Sequence, residues 1–208
     1  MKNFKSLLLL FAGIVILFLG FYFPNKITEI KRTQALLTKT TAKAQANEAF
    51  LNSNFEMNST MTGLIAPDVF CTGYRKDSTL LSTMAKKRPV LIFRFTEQGC
   101  TPCYVEELNA LQQILPENVD YVIILCSYHK DKDLMILKNT HKLQLPAYLI
   151  RFDAFDWVAE ESQKAYYFIL HPDMKISHIH VPDKAYPELN KQYLEGVIRF
   201  LSEQETEK

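Results

Sequence analysis

Read for the alternation of apolar and polar positions, the chain falls into three stretches. From Leu7 to Phe23 the run "LLLLFAGIVILFLGFYF" contains no charged residue. From Ile27 to about Phe50, Ala, Lys, Glu, Gln and Thr dominate, and apolar positions are too sparse to bury one face of a helix. Beyond residue 61 the pattern becomes one of alternating strands and helices. "PVLIFRF" (Pro89–Phe95) and "DYVIILCSY" (Asp120–Tyr128) are near-continuous apolar runs rich in β-branched and aromatic residues, as expected of parallel strands covered on both faces. Between them Tyr104, Leu108, Leu111 and Leu115 recur at spacings of four, three and four, the stripe of a helix lying on a sheet. This predicts a right-handed βαβ unit. "KDKDLMILKNTHK" predicts a second helix, and "YYFILH" and "ISHIHVP", joined by "PDMK", predict an antiparallel hairpin. Leu189, Tyr193, Val197 and Phe200 mark one face of a closing helix. The predicted order is β-α-β-α, an insertion, then β-β-α.

The first stretch, at about 1.5 Å per residue, spans roughly 25 Å, close to the hydrocarbon thickness of a bilayer. A cleavage site would need small residues just beyond it, where "GFYFPNK" has Phe, Tyr and Phe. The expectation is an uncleaved signal anchor over 1–25, a juxtamembrane helix and linker over 26–60, and a globular domain over 61–208. "LNSNFEMNSTMTG" reads as the linker. A short basic tail, Lys2 and Lys5, ordinarily stays inside and places the rest of the chain outside the cytoplasm. Lys26, Lys31, Arg32, Lys39 and Lys43 on the far side of the run pull the other way.

Composition adds two limits. Of 208 residues 48% are apolar and 12% aromatic, enough for one full core. The 24 basic and 23 acidic residues are spread along the chain for a net charge of +1, so nucleic acid is set aside as a partner.

The candidate chemistry lies in "RFTEQGCTPCYVEELNALQ", where Cys100 and Cys103 flank Thr101 and Pro102. The pair follows a buried strand and opens the next helix. There the unpaired N–H groups and the helix dipole favour an anion, lowering a thiol pKa from about 8.5 into a range of roughly 3.5 to 7.5. Pro102 suits a first helical turn, where its missing N–H costs nothing. Cys103, one turn further in, is expected to be the more buried sulfur. A zinc site would need two further soft ligands, but Cys71 and Cys126 are single and the histidines form no second paired motif. Cys126 reads as core, and Cys71 as an inert buried thiol or a regulatory one. His178 and His180 fall on one face of a strand, the solvated edge of a hairpin or the beginning of a metal site.

Strand, "CTPC", amphipathic helix, buried strand and a terminal β-β-α resemble the thioredoxin fold. With the anchor, the chain resembles the membrane-tethered TlpA/ResA-like thiol-disulfide oxidoreductases over roughly Ile65 to Leu201. The resemblance implies a three-layer α/β/α sandwich with a central mixed sheet behind an N-terminal transmembrane helix. It implies Cys100 and Cys103 as the catalytic dithiol and Glu106, from the pattern C-x-P-C-x-x-E, as the acid beneath the thiols. It places Thr101, Pro102 and Ala165 against substrate. The partners implied are client proteins with disulfides and a membrane thiol-electron carrier, the setting a single-pass protein of the cell inner membrane facing the periplasm. No dissociable cofactor and no metal is expected. The alternative is a non-catalytic thioredoxin-like module that binds a metal or a partner.

Two positions depart from the family pattern. Gly99 stands where a Trp often precedes the first cysteine. Aligning "KAYYFILHPDMKI" with the family's cis-proline segment puts Ala165 at the proline site, with Pro146 in "LQLPAYLIRF" as the competing candidate. A cis bond before alanine would cost about 2.5 to 4 kcal/mol, so a trans or rearranged loop is expected there. The segment "LPAYLIRFDAFDWVAEESQ" reads as an insertion or an extra strand whose Trp157 borders the active face.

Overall fold

The computed structural model describes residues 2–115 and 119–206, with the side chains at 2–9, 19, 21, 24, 205 and 206 outside that description. The membrane-anchor expectation falls partly on those side chains; among the described residues no helix is long and apolar enough to cross a membrane. The elements, in order, are α1 (Lys2–Met61), β1 (Phe70–Gly73), β2 (Ser78–Leu80), α2 (Leu81–Ala85), β3 (Val90–Thr96), α3 (Thr101–Ile114), β4 (Val122–Ser127), α4 (Asp131–Thr140), β5 (Ala147–Leu149), α5 (Val158–Glu161), β6 (Tyr166–Leu170), β7 (Ile176–His180) and α6 (Pro187–Thr206).

Two units follow one another, Met1–Phe50 and Leu51–Lys208. In the first, side chains 25–46 are exposed, and the hydroxyls of Thr33, Thr38, Thr40 and Thr41 bond carbonyls four residues back. This is the solvated helix that the composition predicts: its hydroxyls are satisfied along the helix itself.

In the second unit seven strands form one mixed sheet in the order β2-β1-β5-β4-β3-β6-β7. The two predicted apolar runs become its central parallel pair, Leu91 to Thr96 alongside Val122 to Ser127. The predicted late hairpin is β6 and β7, with β6 antiparallel to β3. β1 and β2, of four and three residues, are too short to show a period, whereas β5 is the extra strand that the segment 145–163 offered.

β3 faces two ways. Phe93 and Phe95 lie towards α3, where Phe95 stacks on Tyr104 with centroids 4.2 Å apart and Phe93 on Tyr167 at 4.5 Å. Arg94, between them, points to the opposite face, which the 150–164 segment covers through Phe155, Trp157 and α5. Trp157 is buried there, stacked on Phe155 and edge-on to Phe168 at 5.4 Å. It therefore sits opposite α3, and the expectation that it borders the active face is corrected: the pleat sends Tyr167 to one side and Phe168 to the other.

The expected linker is helical as far as Met61, because its polar residues are a contact surface. Met61 is fully buried and Met57 packs on the core, while Asn58 Oδ1 accepts from the Ile179 N–H at 2.9 Å and Asn54 Oδ1 from the Val181 N–H at 2.7 Å. Asn54 Nδ2 returns a bond to the Val181 carbonyl at 3.2 Å. Gly63 and Leu64 then pair with Ile176. Two asparagines four residues apart on a helix are about 6 Å apart along its axis, and alternate outward N–H groups of a strand about 6.6 Å apart, so one helix face can cap the edge strand.

The closing helix is present with its buried face turned by one position. Asn190, Leu194, Val197 and Leu201 are buried, whereas Leu189, Tyr193 and Phe200 are half-buried flanks.

Candidate active site

β3 ends at Thr96, and the turn of Glu97 to Gly99 delivers the chain to α3, whose N-cap is Cys100. The Cys100 carbonyl accepts the first helical bonds, from Cys103 N at 3.0 Å and Tyr104 N at 3.2 Å, and Pro102 stands in the first turn. Cys100 and Cys103 are joined as a disulfide with Cα atoms 5.2 Å apart. Cys100, Thr101 and Pro102 are exposed and Cys103 is half-buried. This asymmetry suits an attacking sulfur at the surface and a second one behind it.

Gly99 has a local reason. A Cβ built on it would lie 2.5 Å from the Gln163 carbonyl oxygen, so the loop before β6 approaches too closely for any side chain. That loop brings Ala165 to the dithiol. Ala165 immediately precedes β6 and shares with both cysteines, Glu107, Lys164 and Asp183 the wall of a cavity of about 160 Å³. Pro146 instead precedes β5 and borders a separate cavity with Tyr74 and Lys138. Ala165 therefore faces the dithiol and Pro146 does not, and no described peptide bond is cis.

Glu106 does not lie beneath the thiols. It is exposed, and the buried carboxylate of α3 is its neighbour Glu107, 9% exposed and lining the dithiol cavity. Glu107 Oε2 accepts from the Tyr167 hydroxyl at 3.1 Å and Oε1 from Asn190 Nδ2 at 3.0 Å. Burial pushes its carboxyl above the ordinary carboxylate range; the two hydrogen bonds oppose that rise and the charge of Glu106 adds to it. The signal was present in the sequence: Glu107 is three residues after Tyr104 and four before Leu111, squarely on the apolar stripe.

Behind Glu107, Asn190 bonds both backbone groups of Asp183 and faces His180 Nε2 at 3.2 Å. His180 is buried and stacked on Tyr193 at 4.3 Å, and burial lowers its pKa to about 4. The expected pairing of His178 with His180 on one strand face does not occur. A bulge opposite Tyr167–Ile169, with His178 at φ 54°, turns His178 out to solvent while Ile179 and His180 are both buried. Cys71 and Cys126 are buried, both with pKa raised to about 12 by desolvation, as inert thiols should be. Among the described residues no cluster of His, Cys, Asp and Glu is placed to hold a metal ion.

No family model matches the chain, and no curated protein sequence matches it. Solved structures do. A thiol:disulfide interchange protein from Bacteroides sp. superposes with a TM-score of 0.52 at 17% identity, over 68% of this chain and 90% of its own. The thioredoxin domain of a thiol-disulfide oxidoreductase from Bacteroides vulgatus gives 0.51 at 16% identity, over 67% of this chain and 97% of its own. At these identities the likeness establishes the fold: residues beyond α1 form a thioredoxin-like mixed α/β sheet with a Cys-Thr-Pro-Cys pair at the head of α3.

Proposed function

We propose that this chain is a membrane-anchored thiol-disulfide oxidoreductase that reduces disulfides of client proteins outside the cytoplasm. The observation that carries the reading is an exposed Cys100 at a helix N-terminus, joined to a half-buried Cys103, over a buried carboxylate. In the reduced enzyme the Cys100 thiolate attacks a client disulfide, forming a Cys100–client bond and releasing one client thiolate. The Cys103 thiol loses its proton to the Glu107 carboxylate and attacks Cys100 Sγ. The Cys100–Cys103 bond forms, the second client sulfur leaves and takes up a proton, and two electrons have passed to the client. A membrane thiol carrier restores the dithiol. Ala165 lines the cavity, and Thr101 and Pro102 are exposed beside Cys100, where an extended client segment would lie.

The apolar run Leu7–Phe23 supports anchoring in the inner membrane with residues 61–208 facing the periplasm. Carbonate extraction and protease accessibility in spheroplasts test it: the chain stays in the pellet and loses its C-terminal part to external protease.

For the chemistry, the full chain is assayed for insulin disulfide reduction with a low-molecular-weight thiol as donor. Turnover is expected in the wild type, none in Cys100→Ser, and trapped mixed disulfides in Cys103→Ser. A wild type that leaves insulin at the buffer rate, yet purifies with stoichiometric zinc or copper under reducing conditions, replaces this reading with the metal-binding module.

A further inference from the structure

The carboxamide of Asn190 joins two parts of the cavity that lie far apart in sequence. Buried on α6, its Nδ2 donates to Glu107 Oε1 and to the Asp183 carbonyl, each at 3.0 Å. Its Oδ1 accepts from the Asp183 N–H at 3.3 Å and faces His180 Nε2 at 3.2 Å. The Asp183 N–H can only donate and the Asp183 carbonyl only accept, so Oδ1 and Nδ2 cannot exchange places. His180 Nε2 therefore carries a hydrogen, and Glu107 always meets an N–H from Asn190, never a carbonyl. The same amide grips both backbone groups of Asp183, which with Pro182 and Lys184 walls the dithiol cavity.

We propose that Asn190 is the positioning residue of the dithiol site: its amide, locked in sense by the Asp183 backbone, holds Glu107 as the ionisable proton carrier and the 182–184 segment as the cleft wall. The inference rests on the dithiol chemistry proposed above and adds which residue sets the carboxylate's proton affinity. A buried carboxylate that loses this donor ionises less readily, because a hydrogen bond to the ion replaces part of the hydration lost on burial. Other groups also act on Glu107. Glu106 on its own helix opposes its ionisation, and Tyr167 on β6 donates to it. Cys100, Cys103, Lys164 and Lys184 face it across the cavity, and Glu188, Lys191 and Glu195 of α6 line the neighbouring groove. The Asp183 carboxylate is engaged with the Ala185 N–H, and Tyr193 lies behind His180. Replacing Asn190 removes none of these side chains, and of them only Asp183 and Lys184 stand on the segment that it grips.

The test is a carboxyl carbon-13 titration of the reduced full chain, with the Glu107 signal assigned by its loss in Glu107→Gln, beside the pH profile of mixed-disulfide resolution. Asn190→Ala is expected to raise the Glu107 midpoint by about one pH unit, a roughly tenfold change in proton affinity, with the rate profile moving in step. Asn190→Asp keeps the shape but turns an oxygen onto Oε1, and raises the midpoint further; it carries the test if the alanine variant does not fold. In a Glu107→Gln background Asn190→Ala moves the profile no further. An unmoved Glu107 midpoint, or an equal loss of rate in both backgrounds with no shift in profile, overturns the proposal and leaves Asn190 a purely structural residue. Absence of turnover in the wild type would defeat the oxidoreductase reading, while the carboxyl titration would still decide the role of Asn190.

Discussion

Glu106 and Glu107 differ by one step of α3, about 100° around the helix axis, and that step separates a solvated carboxylate from a buried one. A motif fixes spacing along the chain, whereas burial is fixed by the phase of the apolar stripe, and here the two disagree. Stability should register the difference. The folded carboxyl of Glu107 is raised, so its contribution is full below the ordinary carboxylate range and is lost as the pH rises through its folded value. Gln can accept from Asn190 and donate to the Tyr167 oxygen, so Glu107→Gln is expected to match or exceed wild-type stability at pH 8, with the gap closing at lower pH. His180 works in the opposite sense. Its pKa falls from 6.5 to about 4, so the stability it confers is complete above 6.5 and drains away as the pH drops towards 4. That amounts to about 3 kcal/mol, an upper figure for a side chain so well buried. Urea unfolding at pH 4.5 and 7 should show His180→Gln flattening this acid limb, and Glu106→Gln, which removes a charge that opposes Glu107 ionisation, leaving the His180 limb unchanged. A wild-type curve flat across that window would remove the buried neutral imidazole from the account.

Among the elements, the β3-α3-β4 unit, α4, the β6–β7 hairpin and the closing helix were legible because each is long enough to show a period. What escaped depends on contacts. The segment 51–61 looks like a linker because asparagine and serine are weak helix formers. Its helix is held from outside, by Met57 and Met61 against the core and by Asn54 and Asn58 on the open edge of β7. Such an edge invites pairing with other chains unless it is covered. Asn58→Ala would strip the Ile179 N–H of its partner, and Asn54→Ala the Val181 N–H and carbonyl. Each is expected to cost about 1 to 2 kcal/mol and to accelerate hydrogen exchange at residues 179 and 181 ahead of the rest of the sheet. Exchange unchanged at those two amides would mean that water replaces the asparagines without loss, and that the helix end is held by its methionines alone. The one-position error in the α6 face has the same origin: Asn190 is polar, so a search for apolar residues passes over the position that faces the site.

Across the whole molecule, one ion pair connects the middle of the sheet to the loop at the dithiol. Arg94 is 0% exposed in the central strand, yet its Nε and Nη2 donate to the two oxygens of Glu160 at 2.8 and 3.1 Å, and its Nη1 to the Phe95 carbonyl at 2.8 Å. The Tyr166 hydroxyl adds a bond to Glu160 Oε1 at 2.7 Å. Glu160 belongs to α5, and the chain from there to Ala165 passes directly over Gly99. In the sequence Arg94 is a lone charge in an apolar run, and nothing local names a partner that arrives 66 residues later. A buried guanidinium is tolerated only while it is paired, and removing one member costs far more than removing both. Glu160→Ala is therefore expected to destabilise the fold by about 3 to 5 kcal/mol, and Arg94→Met with Glu160→Met by much less. Because the loop that walls the dithiol is tethered at this pair, the single variant should also alkylate faster at Cys103 in the reduced state, while the exposed Cys100 reacts as before. Denaturant unfolding reads the first effect and mass-resolved alkylation the second. A Glu160→Ala cost below about 1 kcal/mol, in the range of an exposed pair, would show the guanidinium to be hydrated and the tether to be elsewhere.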